Sequence, residues 1–341
     1  MIVNKKKADR LPVLTIDGNP IKNEDKAKLL GDIINAKGNH NDLIIDRVTR
    51  GRVSIISCFA ICSETTLGCF SIQSLLLVYR AVFMMSLLHN SRTWSKLTKT
   101  NLMDLQRVQL RFLKRMLGTP SSTPNTVVFL ELGVLPVENE IDVRKLRFLY
   151  HILSLHPSDP VFRMYHEQLS FPCEENWANE CLSLRRKYGI SLSDEEISLK
   201  SEEGWKNLVK EKVRSVVFHR LCQESANKSK TKNLTYNKYT IQDYFHALPA
   251  SLAKTLFKFR SRSVTCRINH KSQHKVDLCR VCGLLPEDQT HCVNCPAVTH
   301  EDFIDTNILD MFNPANDIPV LTEIDKRLSV YMEVRDRMCK N

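Results

Sequence analysis

The sequence predicts a mainly α-helical protein with a small β-hairpin near its N-terminus and a metal-binding segment near its C-terminus. Three observations favour this fold class. Only 10 glycines occur in 341 residues, which argues against a β protein with many turns. Apolar residues recur at three- and four-residue steps from about residue 41 onward. Four cysteines and one histidine fall within residues 279–295.

The N-terminal hairpin is predicted from two short apolar runs. Val13–Ile16 and Leu29–Ile34 are rich in branched apolar residues, which favour strands, and "DGNP" between them is typical of a turn. An isolated two-stranded hairpin is marginal in water, so we expect this element to need the rest of the chain.

Helices are predicted in succession after the hairpin. In the clearest, Asn101–Leu117, one apolar stripe runs along the helix, Asn101 is the expected cap, and Gly118 and Pro120 supply the stop. Other helices are predicted at Asp42–Cys62, Ile72–Leu88, Asn125–Leu132, Pro136–Leu155, Trp177–Tyr188, Gly204–Gln223, Pro249–Arg262 and Thr322–Met338. We divide the chain into a β-hairpin segment (1–38), a helical domain (39–118), a helical connector (119–225), a basic region with the metal-binding segment (226–300) and a tail helix (301–341).

Composition narrows the class of protein. An apolar content of 43% is enough for a buried core and argues against wholesale disorder. The most apolar segment, Ser74–Leu88, is interrupted by Arg80 and is shorter than the roughly 20 residues of a membrane span. We therefore expect no membrane association. The 12 cysteines, with no signal peptide at the start, predict free thiols in a reducing intracellular compartment, nuclear or cytoplasmic.

The positive charge is concentrated in one stretch. The formal net charge is +11, and residues 228–275 hold eight lysines and three arginines against one acid, Asp243, a net charge of +10. Such a stretch attracts phosphates, and its aromatic residues either stack on bases or face a core. The candidate nucleic-acid contacts here are Lys254, Lys258, Arg260, Arg262 and Arg267. A second candidate set lies largely off the apolar stripe of the Asn101–Leu117 helix: Arg107, Arg111, Lys114 and Arg115.

The cysteine-rich segment predicts a structural zinc site. Cys279, Cys282, His291 and Cys295 give the spacing C-x2-C-x8-H-x3-C, four ligands that close a tetrahedron around Zn²⁺ with no open position. Cys292 competes with Cys295 for the fourth position. Cys266, His270 or His274 could also lend a ligand, and four free thiols without a metal would fit the same pattern. A redox C-x2-C pair is disfavoured because no βαβ pattern surrounds Cys279.

Several blocks of the chain, in this order, resemble a known family. These blocks are "LLGDIINAKGNHNDLIIDRV", "LLLVYRAVFMMSLLHNSRTWSKLTKTNLMDLQRVQLRFLKRMLGTPSSTP" and "VFLELGVLPVENEIDVRKLRFLYHIL". They are similar to the C-terminal part of reverse transcriptases of non-LTR retrotransposons. The resemblance implies that the hairpin is the end of a polymerase palm, that a helical thumb follows it, and that the cysteine–histidine segment is the family's C-terminal knuckle.

The resemblance also implies what the chain lacks. Polymerisation in this family depends on palm aspartates that hold Mg²⁺, and no Asp-Asp pair occurs in this sequence. We therefore expect a truncated reading frame that binds RNA or DNA without polymerising it, with Mg²⁺ not expected, and leave its enzyme status uncertain. A complete copy of the same element's protein is a candidate partner. Competing hypotheses are a domesticated zinc-dependent nucleic-acid-binding protein, an accessory part aiding a complete reverse transcriptase, and a product without selected function.

Overall fold

The structure, a computed structural model, describes residues 15–17, 19–20, 24–64, 70–95, 97–171, 176–269, 276–299, 303–305 and 318–339. Most of these residues are helical, a two-stranded antiparallel hairpin lies near the N-terminus, and a cysteine–histidine cluster lies near the C-terminus. The predicted fold class is therefore confirmed. In the described part of the chain, no helix combines the length and the apolarity that crossing a membrane requires.

The elements, in chain order, begin with four short strands: β1 Thr15–Ile16, β2 Asn19–Pro20, β3 Lys26–Leu29 and β4 Asp32–Asn35. The helices that follow are α1 Asn41–Glu64, α2 Ile72–Val78, α3 Met84–Leu87, α4 Lys99–Leu117, α5 Asn125–Leu132, α6 Val137–Leu153, α7 Pro160–Ser170, α8 Trp177–Lys187, α9 Asp194–Ser198, α10 Glu202–Ala226, α11 Tyr244–Ala247, α12 Ala250–Arg260, α13 Gln289–Val293 and α14 Ile318–Met338. A π-helical turn, Tyr79–Phe83, joins α2 to α3, and a 3-10 turn, Ser91–Thr93, precedes α4.

The hairpin corrects the predicted strand boundaries. Strands β3 and β4 pair with each other, so the predicted single strand Leu29–Ile34 contains the turn. Leu30 has φ of 48° and Gly31 has φ of 90°. A two-residue turn with positive φ at both positions matches the twist of the flanking strands. Glycine is common in such a turn because it adopts positive φ without steric strain. The "DGNP" turn joins only the short pair β1 and β2, and Val13 lies outside the described residues.

Helix α4 begins two residues earlier than predicted and has a different cap. The backbone N–H of Asn101 donates to Oγ1 of Thr98 at 3.1 Å, so Thr98, not Asn101, satisfies this end of the helix. The Asn101 side chain donates instead to Oδ1 of Asn41 at 3.3 Å. At the other end, Gly118 has φ of +63°, as a glycine after a helix C-terminus commonly does.

Some short helices lie in the region predicted to be loose. Helix α7 starts at Pro160, and the side chain of Asp159 accepts from the N–H of Val161 at 2.8 Å. Helix α9 has a capping box formed by Ser193 and Glu196. These starts carry standard cap and proline signals, but the apolar periodicity that follows each of them is short, so periodicity alone does not reveal these helices.

The described chain forms two compact units. The first comprises the described parts of residues 1–58, 80–109 and 136–214. Its helix α6 packs against α7, α8, α9 and the 3-10 turn, and the buried Trp205 donates its indole N–H to the Leu146 carbonyl at 2.8 Å. The predicted division into five segments stays a prediction.

The second unit comprises the described parts of residues 59–79, 110–135 and 215–341. In this unit α12 and α13 pack against α14, and α11 packs against α2 and α12. Gly133 ends α5 with φ of +57°, and a Cβ there would lie 2.4 Å from the carbonyl carbon of Thr240. The close approach of these two backbones requires glycine, and it holds the segment before α11 against the end of α5.

Candidate metal centre and basic surface

The predicted ligands converge in the second unit. One candidate ligand atom from each of Cys279, Cys282, His291 and Cys295 lies within 4.8 Å of all the others. Cys279, His291 and Cys295 are buried and Cys282 is half-buried. We call these four residues the metal centre, because three thiols and one imidazole at this separation can hold a metal ion.

The backbone around Cys279 and Cys282 is shaped to point both thiols at one place. Gly283 has φ of +69°, and its N–H donates to the Cys279 carbonyl at 3.0 Å, which closes the turn after the C-x2-C pair. The N–H of Val281 donates to Sγ of Cys279 at 3.3 Å, and the N–H of Leu284 donates to Sγ of Cys282 at 3.5 Å. Backbone donors aimed at sulfur stabilise the thiolate form.

Helix α13 supplies the second pair of ligands. Its N-cap, Asp288, accepts from the N–H of His291 at 2.7 Å, and Cys295 follows the helix end by two residues. Nε2 of His291 lies 3.3 Å from Sγ of Cys282, and Sγ of Cys295 lies 4.0 Å from Sγ of Cys279. The helix thus brings one imidazole and one thiol onto the first pair.

Electrostatics around the first pair favour thiolates. Burial tends to raise the pKa of Cys279, but hydrogen bonds from the Tyr331 hydroxyl and from the Cys282 and Val281 N–H groups outweigh it, and the pKa falls. Burial also tends to raise the pKa of Cys282. Hydrogen bonds from the backbone N–H groups of Leu284 and Leu285 outweigh that effect, so the pKa of Cys282 falls as well. Thiolate is the form that binds metal.

The structure separates the two candidates for the fourth position. Cys295 completes the metal centre, whereas the buried Cys292 is not one of the four clustered residues. Cys266, which is also buried, does not belong to this cluster either. His270 and His274, which were also candidate ligands, lie outside the described residues.

The residues that surround the metal centre were not predicted from the sequence. The carboxylate of Glu287 is fully buried and hydrogen-bonds the Arg280 guanidinium. It also accepts from the backbone N–H of Arg280 at 3.0 Å, next to Cys279. The Tyr331 hydroxyl of α14 lies 3.2 Å from Sγ of Cys279. Tyr331 is separated from the ligands by more than thirty residues, so the local cysteine and histidine spacing could not predict its contact with the metal centre.

The basic residues of α4 fall into two groups. Arg107, Arg111 and Arg115 are exposed and recur every fourth residue along the helix, and we call them the arginine row. Arg107 pairs with Asp104 at 2.7 Å, and the Arg115 guanidinium lies 4.6 Å from the centre of the Phe59 ring. Lys114 is buried, donates to the Ser121 carbonyl at 2.6 Å, and has its pKa lowered to about 8 by burial. Lys114 is thus engaged with the turn after α4.

The two basic stretches predicted from the sequence meet at Gly118, directly after α4. A Cβ built on Gly118 would lie 4.0 Å from Cδ of Lys254 and 4.0 Å from Cε of Lys258. We call Lys254 and Lys258 the lysine pair. Burial and the charge of Lys258 lower the pKa of Lys254; burial lowers the pKa of Lys258, against the opposing charge of Asp325. Neither ammonium group has a hydrogen-bond partner or a carboxylate within ion-pair distance among the described residues.

The other three residues predicted to contact nucleic acid are arginines, and each has a different environment. Arg260 is buried and its Nε donates to Oε1 of the fully buried Glu131 at 2.9 Å, which gives it an internal partner. Arg262 is half-buried and has φ of 47°, a conformation that non-glycine residues rarely adopt. Arg267 is half-buried and donates to the Leu278 carbonyl at 2.8 Å, beside Cys279.

The aromatic residues of the basic stretch belong to the core. Phe257 and Phe259 are fully buried, Tyr244 and Phe245 are buried against each other with ring centres 4.2 Å apart, and Tyr239 is buried as well. Tyr236 is half-buried and donates its hydroxyl to Glu131 at 2.9 Å. These rings therefore face a core and do not form a surface on which bases could stack.

Comparison of the chain with known proteins finds no matching family model, no matching curated protein and no matching solved structure.

Proposed function

We propose that the second unit is a nucleic-acid-binding module organised by one structural zinc ion. The observation that carries this proposal is the meeting of two basic stretches at Gly118, in the unit that also contains the metal centre. The phosphate backbone of a nucleic acid is the partner that such a surface attracts most strongly, because each neutralised phosphate releases counterions.

Zinc is the metal that best suits the ligands. Three cysteines and one histidine form a common structural zinc set, and soft thiolates select against Mg²⁺ and Ca²⁺, which prefer oxygen. The cysteines provide thiolate sulfur and His291 provides Nε2. All four positions are filled by the protein, so the ion has a structural role: it joins the turn at Gly283 to α13.

The phosphate contacts are proposed for the lysine pair and for Arg111 and Arg115 of the arginine row. Lys254 and Lys258 are half-buried, and their ammonium groups lack an internal acceptor in the described chain, which a phosphate oxygen would supply. Because the aromatic rings are in the core, base stacking contributes little, and we propose binding through the backbone with little sequence preference.

We further propose that the chain derives from the C-terminal part of a non-LTR reverse transcriptase. The features that support this origin are the "LLG" turn between β3 and β4, the helices that follow it, and the cysteine–histidine cluster near the C-terminus, in the order that the resemblance implies. No Asp-Asp pair for Mg²⁺ is present in the sequence, so binding is the function that we assign.

The salt dependence of binding tests the proposal. If about five phosphates are engaged, a plot of log K against log salt for a mixed-sequence single strand should have a slope of about −3 to −5. Replacing both Lys254 and Lys258 by glutamine should flatten the slope by about one unit for each lost phosphate contact. Fluorescence anisotropy from low to moderate salt measures both quantities.

A matched control is available on α10. Lys206 and Lys210 have the same four-residue spacing, but Lys206 pairs with Glu202 at 2.5 Å and both lie in the first unit. Replacing both by glutamine removes the same charge and should leave the slope unchanged. An equal change in the two double variants would show a response to net charge alone and would count against a phosphate site at the lysine pair.

A further inference from the structure

The hydroxyl of Tyr331 is fully buried and directed at a metal ligand. Tyr331 is 0% exposed, and its oxygen lies 3.2 Å from Sγ of Cys279. A metal-bound thiolate carries no proton and only accepts, so the hydroxyl must be the donor of this hydrogen bond once a metal is bound.

Helix α14, which carries Tyr331, connects the metal centre to the helix of the lysine pair. It packs against both α12 and α13. Asp325, in the first half of α14, accepts from the hydroxyl of Thr255, the residue that follows Lys254 on α12. Nη1 of Arg335, near its end, donates to the Thr265 carbonyl at 3.0 Å. Helix α14 therefore contacts α12 at Asp325, the metal centre at Tyr331 and the loop after α12 at Arg335.

We propose that Tyr331 is a positioning residue for the metal centre, through which metal binding fixes α14 against α12 and α13. This inference rests on the proposed zinc site and adds a partner from a distant helix. Groups that hydrogen-bond metal ligands hold them in orientation, and their removal typically lowers metal affinity by about 10- to 100-fold. A hydrogen bond to a thiolate also withdraws charge from the sulfur, so it alters the electronic absorption of a metal–thiolate bond.

The test compares two variants that each remove one buried hydroxyl. Tyr331→Phe removes the hydroxyl at Cys279, whereas Tyr239→Phe removes a buried hydroxyl that donates to the Val134 carbonyl at 2.5 Å, in the same unit. The full-length proteins are loaded with Co²⁺, whose thiolate charge-transfer absorption reports on the sulfur ligands. Zn²⁺ affinity is then measured by competition with a chelator.

The expected result is a shifted charge-transfer band and at least about tenfold weaker Zn²⁺ binding for Tyr331→Phe, with wild-type values for Tyr239→Phe. Equal spectra and affinities for Tyr331→Phe and wild type overturn the role of Tyr331 while leaving the zinc site intact. A wild-type protein that takes up neither metal overturns both proposals.

Hydrogen exchange of the wild-type protein provides a second measurement, which does not depend on a variant folding. Adding one equivalent of Zn²⁺ to the metal-free protein should slow amide exchange across residues 318–338 as well as in 279–295. Slowing confined to 279–295 would show that the metal organises its own loop only, and it would overturn the proposed link to α14.

Discussion

Replacing Cys279 and Cys282 together by serine is expected to abolish zinc binding and to unfold the segment around the metal centre. A structural zinc site supplies an apparent binding free energy of about 10 to 16 kcal/mol, and a segment built on it loses that stabilisation when two ligands are removed. Wild-type protein should contain one zinc per chain and the double variant none, as measured by elemental analysis. Hydrogen exchange should show loss of protection in residues 279–295.

Cys292→Ser is the matched control for this prediction. Cys292 is buried and lies within the same seventeen residues, but it is not one of the four clustered residues. It should keep one zinc per chain, whereas His291→Ala and Cys295→Ser should lose it. Zinc retained after the loss of both Cys279 and Cys282 would contradict the assignment of the metal centre.

Glu131→Gln is expected to destabilise the second unit by about 3 to 5 kcal/mol. Glu131 is fully buried and accepts from both Arg260 and Tyr236 at 2.9 Å. Removing its charge leaves the guanidinium of Arg260 buried without a counter-ion, and an unpaired buried charge costs about this much. Native-state hydrogen exchange of α5 and α12, which carry the two partners, measures the free energy of opening.

An exposed ion pair in the same unit provides the control for Glu131. Asp243 lies 3.0 Å from Lys238, and the two side chains are 77% and 56% exposed. Asp243→Asn should therefore cost less than about 1 kcal/mol. A double variant, Glu131→Leu with Arg260→Met, should recover much of the loss, since a buried pair replaced by apolar side chains is often neutral. A cost for Glu131→Gln no larger than that of Asp243→Asn would contradict the structural role of the pair.

The metal centre could be predicted from the sequence because its ligands are local. Cys279, Cys282, His291 and Cys295 lie within seventeen residues, so the turn at Gly283 and the single short helix α13 are enough to bring them together. The choice between Cys292 and Cys295 depended on which way α13 turns its side chains. Spacing alone does not determine that direction.

The burial of Arg260 could have been predicted from the sequence. Ala253, Phe257 and Arg260 follow at four- and three-residue steps, so Arg260 lies on the apolar face of α12, while Lys254 and Lys258 lie beside it. Glu131 likewise interrupts the apolar run of α5. A charged residue on an apolar face requires a partner, but the sequence gives no indication that these two residues, 129 positions apart, are partners.

Two contacts could not be predicted from the sequence. One joins Tyr331 to Cys279, and the other brings the lysine pair against Gly118. Each joins segments far apart in the chain, and helical periodicity reports only which face of each segment is apolar. The tail helix itself was predicted, although it begins at Ile318 and not at Thr322. Its role at the metal centre becomes visible only in the packed structure.

The central claim is that one zinc ion organises a surface that binds nucleic acid through phosphate contacts. The most direct measurement is the affinity for a mixed-sequence single strand of zinc-loaded and chelator-stripped protein over a range of salt concentrations. We expect the zinc-loaded protein to bind with a log–log slope of about −3 to −5. We expect the stripped protein to bind at least about tenfold more weakly, a loss of about 1.4 kcal/mol. A slope near zero for the zinc-loaded protein, or equal affinities for the two forms, would contradict the claim.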